Sequence, residues 1–244
     1  MLLVHGILSG RSQWGPNLAA LSGFARPVVV ELWGHGRSPS PEDPALYHPD
    51  AYVRAFDEVR EELGAERWLV CGQSFGAALT LRYSLDRPDR VIAQVFTNST
   101  SALADREWTE RTRAAAPGLA EMIEEGGRET IERMPMHPLH ARRIPPDAHR
   151  PLLEDTALLD PRGVARTLRH AVPESSVRER MGENRVPTLL VCGERETRFL
   201  PHRELAEKEM PRLEVVGADA GHAVNLEAAE VFDRAVREFI QGQG

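Results

Sequence analysis

Residues 68–78 read Trp68-Leu69-Val70-Cys71-Gly72-Gln73-Ser74-Phe75-Gly76-Ala77-Ala78. The first four are a short apolar run closed by glycine, the pattern of a buried strand. From Ala77 to about Leu85 apolar residues return at helical spacing. Between the two lies Gly72-x-Ser74-x-Gly76, so the chain reads strand, tight turn, helix, with a serine at the apex. Such a turn is strained, and small residues on either side let strand and helix approach while the serine hydroxyl projects above a sheet. A glycine and serine loop that merely turns the chain is the competing reading; the flanking strand and helix weigh against it.

Outward from this unit, short β-rich apolar runs alternate with longer helical patterns, the mark of a parallel sheet with crossover helices. Residues 2–4, 27–31, 91–97, 188–192 and 213–216 read as further strands. Residues 52–63 carry apolar side chains at helical spacing, as do Leu226, Val231, Phe232, Val236, Phe239 and Ile240. The rhythm breaks between about 101 and 183, where Ala, Arg, Glu and Leu dominate and Pro117, Pro135, Pro145, Pro146 and Pro161 punctuate. Short helices joined by proline turns are expected there. Because the β-rhythm resumes at Val186, the chain reads as an α/β core over 1–100 and 184–244, a mostly parallel sheet flanked by helices, carrying an inserted helical cap over 101–183.

A length of 244 residues suits one large α/β domain with an insertion. Apolar residues at 41% and charged residues at 27% place the chain among ordinary globular proteins. The net charge of -7 comes with no long basic block, so the phosphate-neutralising footprint of a nucleic-acid binder is missing. No apolar stretch reaches the roughly 18 residues of a membrane span, and the opening Met1-Leu2-Leu3-Val4-His5-Gly6 lacks the charged and long apolar regions of a secretion signal. A small-molecule substrate, a cytoplasmic location and neither nucleic acid nor membrane as partner are expected. Cys71 and Cys192 each stand just before a glycine at the end of an apolar run and read as buried, reduced small hydrophobes.

A neutral serine hydroxyl is a poor nucleophile; it needs a base within hydrogen-bond reach and a third group to orient that base. For a serine on such a turn these partners follow in the chain, acid first and then histidine. His222, in Ala220-Gly221-His222 between the last strand-like run and the C-terminal helix, fits the base. Upstream, Val191-Cys192-Gly193 ends a strand and leads into Glu194-Arg195-Glu196, a loop able to present a carboxylate. Gly34-His35-Gly36-Arg37-Ser38 lacks the spacing and lysine of a phosphate-binding loop and reads as a structural turn after the 27–31 strand. His137 and His140 have no nearby carboxylate or cysteine at metal-site spacing and read as surface or packing histidines.

The ordered set His5-Gly6, Gly34-His35-Gly36-Arg37-Ser38, Gly72-Gln73-Ser74-Phe75-Gly76, Gly193-Glu194-Arg195-Glu196 and Gly221-His222 resembles the α/β-hydrolase superfamily, in its capped branch of small esterases, lactonases and C–C bond hydrolases. The resemblance covers nearly all of the sheet portion and not the cap. It implies Ser74 as nucleophile, His222 as base, and an acid three residues after the strand-ending glycine. That position is Glu196, where the family usually has aspartate; glutamate is an accepted variant, and Glu194 and Asp219 stay open as alternatives. It further implies an oxyanion hole made by the backbone N–H groups of Phe75 and Ile7, with Leu8 as second choice for the latter. In the family two further strands commonly precede the His-Gly loop; here either the sheet is trimmed at one edge or the start is internal to a longer product.

The implied chemistry is cleavage of an ester-like bond (ester, lactone or thioester) through an acyl-Ser74 intermediate, with no cofactor and no metal. The candidates for inward-facing cap residues, Trp108, Met122, Met134, Met136 and Leu139, are mostly apolar and point to a small, moderately hydrophobic substrate, although each serves equally as cap core. Arg142 and Arg143 are candidates to meet a substrate carboxylate. Two rivals stand beside this reading. One is a C–C hydrolase or a lyase resembling the menaquinone-pathway synthase, against which Gly76-Ala77-Ala78 has no arginine where that family usually carries one. The other is a non-catalytic receptor or scaffold, which has no need of an intact serine and histidine.

Overall fold

The structure, a computed structural model, describes residues 1–243. Six parallel strands, β1 (Leu2–Val4), β2 (Val28–Val30), β3 (Trp68–Gly72), β4 (Val91–Thr97), β5 (Thr188–Gly193) and β6 (Leu213–Ala218), form one sheet in the order β2-β1-β3-β4-β5-β6. The six runs read from sequence fall on these strands, with ends displaced by at most two residues. The central strands are near-continuously apolar because both faces are covered. On one face Leu3, Cys71, Val95 and Val191 pack with Trp14, Phe232 and Val236. On the other, Val4 and Val70 meet Phe56, Leu79 and Tyr83, and farther along Leu190 and Cys192 meet Phe199 and Ala206. Cys71 and Cys192 are buried and unpaired.

The chain runs from β1 outward to β2 and then back past β1 to β3, which makes the carboxyl ends of β1 and β3 a topological switch point. Open α/β sheets bind their ligands at such points. His5-Gly6 leaves β1 there, and Ser74 leaves β3 there.

The helices are α1 (Leu18–Ser22), α2 (Pro49–Glu62), α3 (Phe75–Asp86), α4 (Arg106–Glu132), α5 (Pro146–Thr156), α6 (Pro161–Arg166), α7 (Leu200–Glu209), α8 (Val224–Glu227) and α9 (Ala229–Gln241). Phe232, Ala235, Val236 and Phe239 form the buried stripe of α9, and Leu226 lies in the separate turn α8, cut off by the non-helical Ala228 (φ -136, ψ 52). No helix among the described residues is long and apolar enough to cross a membrane.

Between β4 and β5 the described chain is helices and short turns without a strand. The expected break at Pro117 does not occur. Pro117 lies inside α4, whose backbone departs from helical geometry at Gly127 instead (φ 58, ψ -140). A proline deletes one N–H donor, a loss that a 27-residue helix absorbs; a φ of 58 suits glycine, which has no Cβ to clash. Ala120, Ile123, Ile131, Met134, Val164 and Leu168 bury one another and close over Leu8, so this helical segment is seated on the loop that leaves β1.

Candidate active site

Ser74 has φ 52 and ψ -119, one of only two non-glycine residues with positive φ among the described residues. The turn is compressed enough that a Cβ on Gly72 would meet the Gly76 carbonyl and one on Gly76 would meet the carbonyls of Val4 and His5. The glycine pattern thus has a steric cause, close approach of backbone to backbone, and it sets Ser74 at the N-terminus of α3.

The second positive-φ residue is Leu8 (φ 56), in the loop after β1. Its N–H donates to His35 Nε2 at 3.3 Å, while His35 Nδ1 donates to the Trp33 carbonyl at 2.9 Å. In the same way His5 Nδ1 donates to the Gly6 carbonyl at 2.7 Å and His5 Nε2 accepts from Leu32 at 3.1 Å. These partners require both rings to be neutral. Burial pushes the His5 imidazole down to about 4, and burial, with the neighbouring His5 adding to it, pushes His35 down to about 3. With Leu8 committed to His35, the Ile7 amide is left free. Neither it nor the Phe75 amide has a hydrogen-bond acceptor among the described residues. Gly34-His35-Gly36-Arg37-Ser38 is therefore the structural loop expected, with Gly34 and Gly36 at positive φ, and its histidine braces the turn next to Ile7.

His222 Nδ1 lies 3.0 and 2.9 Å from the two carboxylate oxygens of Glu196. Of the three candidate acids only Glu196 touches the imidazole. Glu194 pairs with Arg203 at 3.0 Å, and Asp219 pairs with Arg195. Asn98, just past the end of β4, donates to Glu196 Oε2 at 2.8 Å and clasps Gly193 by accepting from its N–H at 2.9 Å and donating to its carbonyl at 3.0 Å. Burial pushes the Glu196 carboxyl up, but hydrogen bonding and charge from His222, with the Asn98 bond, outweigh it and leave the group below the ordinary glutamate value. Glu227, at the end of α8, holds the other flank by accepting from the N–H groups of Gly221 (2.6 Å) and Ala223 (3.3 Å). Asn98 and Glu227 escaped the sequence reading; the only signal was a polar residue just past the carboxyl end of a parallel strand.

Ser74, Glu196, His222 and Ile7 line one cavity of about 550 Å³, also lined by residues 135–138, His140, Ala141, Ile144 and Leu152. Ser74 and His222 share its wall without a hydrogen bond between them. Of the five cap residues proposed to face inward, only Met136 reaches this wall. Met134 is buried among Ala120, Ile123, Ile131 and Leu168, and Met122 is 60% exposed; helix amphipathicity on α4 turns Met122 to solvent. His137 and His140 are on the cavity wall, where surface or packing histidines were expected. Arg142 and Arg143 are exposed and absent from it. No cluster of three or more histidine, cysteine or carboxylate ligands suited to a metal ion occurs among the described residues.

The chain belongs to the alpha/beta hydrolase family, whose model matches residues 1–235. It is 26% identical to a putative 2-succinyl-6-hydroxy-2,4-cyclohexadiene-1-carboxylate synthase of Bacillus subtilis (strain 168), over 98% of this chain and 89% of the relative. It is 24% identical to the carboxylesterase YbfK of the same organism, over 99% and 80%. In three dimensions it is similar to MenH from S. aureus (TM-score 0.86, 18% identity, covering 100% of this chain and 94% of that one). It is also similar to the enol-lactonase from Burkholderia xenovorans LB400 (TM-score 0.77, 20% identity, 98% and 90%). At these identities the structural likeness speaks for the fold.

Proposed function

We propose that this hydrolase-family chain is a serine hydrolase that cleaves an ester, lactone or thioester bond of a small substrate through an acyl-Ser74 intermediate. The observation that carries the reading is the Glu196–His222 pair on the wall of the cavity that also holds Ser74 at its strained turn. Ser74 Oγ attacks the carbonyl carbon as its proton passes to His222 Nε2. The N–H groups of Ile7 and Phe75 receive the oxyanion, at about 3 kcal/mol per donor. Glu196 stabilises the imidazolium. The tetrahedral adduct collapses, the leaving alcohol or thiol takes the proton from Nε2, and water, activated by the same imidazole, releases the acid. Ser74 and the imidazole must close to about 2.6–3.2 Å in this cycle, a contact often loose in ligand-free sites.

In this reading residues 1–100 and 184–244 form the hydrolase core, and 101–183 form a cap that shapes the pocket. A lyase or C–C hydrolase on the same residues is the second reading, suggested by the synthase relative. Ala77 and Ala78, buried under Phe96, place no cation at the elbow. The test is covalent labelling by a fluorophosphonate, read by intact-protein mass spectrometry: one adduct on the native chain and none on Ser74→Ala. Undiminished labelling of Ser74→Ala would overturn the assignment.

A further inference from the structure

Resting on the serine-hydrolase reading above, we propose that the cavity takes a substrate bearing one carboxylate and that Arg198 is the residue that receives it. Arg198 is on the cavity wall with Ser74 and His222. The other charged or ionisable groups there are already engaged. Glu196 holds His222 and Asn98. Glu227 accepts from the two amides that flank His222. His137 Nδ1 accepts from Leu139 N–H at 3.1 Å, and His140 Nε2 donates to the Glu132 carbonyl at 2.9 Å. Arg198 is exposed but lines the cavity; its guanidinium has neither a carboxylate nor a carbonyl partner among the described residues, and it is the one lysine or arginine in the lining.

Its neighbours make the contrast. Arg195 pairs with Asp219, and Arg203 reaches Glu194 at 3.0 Å and Glu207 at 3.4 Å. A separate cleft of about 600 Å³ collects more arginines, but Arg82, Arg106, Arg113 and Arg180 there carry carboxylate partners and Arg178 donates to the Leu103 carbonyl at 3.2 Å. The backbone that carries Arg198 is held in place. The Phe199 N–H donates to the Glu196 carbonyl at 2.9 Å, and the Phe199 ring is fully buried, so Arg198 rides a turn pinned at one end by the residue that touches His222 and at the other by the core. Two virtual bonds of 3.8 Å put its Cα within about 7.6 Å of that of Glu196.

A guanidinium fork matches a carboxylate in a two-point hydrogen bond. The cavity's apolar wall, with Ile7, Met136, Ile144 and Leu152, suits the hydrocarbon between that carboxylate and the scissile carbonyl. The Glu196 and Glu227 carboxylates on the same wall oppose a second negative charge, which favours a monocarboxylate over a phosphate dianion.

The test compares two chromogenic esters that differ by one charge, mono(4-nitrophenyl) adipate and its methyl ester, 4-nitrophenyl methyl adipate. The ratio of their kcat/KM values is measured on the native chain, on Arg198→Gln and on Arg195→Gln, at low and high salt. The native chain is expected to favour the carboxylate ester. Arg198→Gln should lower the ratio by about twofold to fivefold, the range of a solvent-exposed charge contact, chiefly through KM. Arg195→Gln should leave the ratio as it was, and salt should erode it in the native chain and in Arg195→Gln but not in Arg198→Gln. A native preference for the methyl ester, or a ratio unmoved by Arg198→Gln, overturns the role of Arg198 while turnover that vanishes in Ser74→Ala leaves the hydrolase reading standing. Turnover of neither ester, together with no fluorophosphonate adduct, overturns the hydrolase reading and this one with it.

Discussion

The backbone N–H of Leu8 donates to Nε2 of His35, which joins the loop after β1 to the loop after β2 through a fully buried imidazole. Leu8 holds a left-handed φ, and that bond engages its amide and leaves the Ile7 amide free beside Ser74. His35→Leu should therefore strand a buried donor, lower stability by about 1–3 kcal/mol and reduce kcat about tenfold or more with a smaller change in KM. His35→Gln, which restores an acceptor, should recover part of both. Steady-state kinetics with urea unfolding checks this; a leucine variant with native kcat would remove His35 from the support of the Ile7 turn.

The same two histidines set an acid limit on stability. His5 and His35 fall to about 4 and about 3 in the folded chain, against about 6.5 unfolded. Above pH 6.5 both states are neutral and nothing is lost. Below it the unfolded chain binds protons that the native chain refuses, so stability declines as pH falls toward 4 for His5 and 3 for His35. At pH 5 the loss is on the order of 2 kcal/mol per histidine. Urea midpoints at pH 7.5 and pH 5.0 should differ accordingly, and His35→Gln should flatten the dependence. Equal midpoints in the native chain would contradict it.

Glu196→Gln keeps the size of the side chain that touches His222 and removes its charge. Its kcat should fall by several orders of magnitude, up to about 10⁴, with little change in binding. Glu194→Gln and Asp219→Asn, whose carboxylates are turned to Arg203 and Arg195, should each cost far less. Near-normal turnover in Glu196→Gln would mean that another group performs this role.

Asn98 ties the end of β5 to Glu196 through three hydrogen bonds. Asn98→Leu should leave the Gly193 N–H unsatisfied, destabilise the fold by about 1–3 kcal/mol and let the carboxylate drift. The titration profile of the Glu196 carboxyl, read by carbon NMR, should then move to higher pH, since the Asn98 bond is one of the contacts holding Glu196 below its ordinary value. A stability loss with an unmoved profile would assign Asn98 to folding alone.

Local chemistry made much of this protein legible in its sequence. Residues 68–78 declare strand, turn and helix because apolar period and backbone sterics act over a few neighbours, and the remaining strands follow from the same short-range patterns. The turn that carries Ser74 was readable for that reason, as was the loop around His35. Long-range packing decided the rest. Glu194, Glu196 and Asp219 are chemically alike, and only the meeting of the loops after β5 and β6 brings one of them to the imidazole. Asn98 and Glu227 act on backbone groups distant in sequence or across a turn, which no spacing announces. Pro117 reads as a helix break, yet α4 runs through it because its tertiary contacts hold the helix and Gly127 supplies the bend. Arg142, Arg143 and Arg198 carry the same charge; their sequence neighbourhoods do not tell which lines the cavity, since that depends on where the helical segment between β4 and β5 and the turn after Glu196 are packed against the sheet.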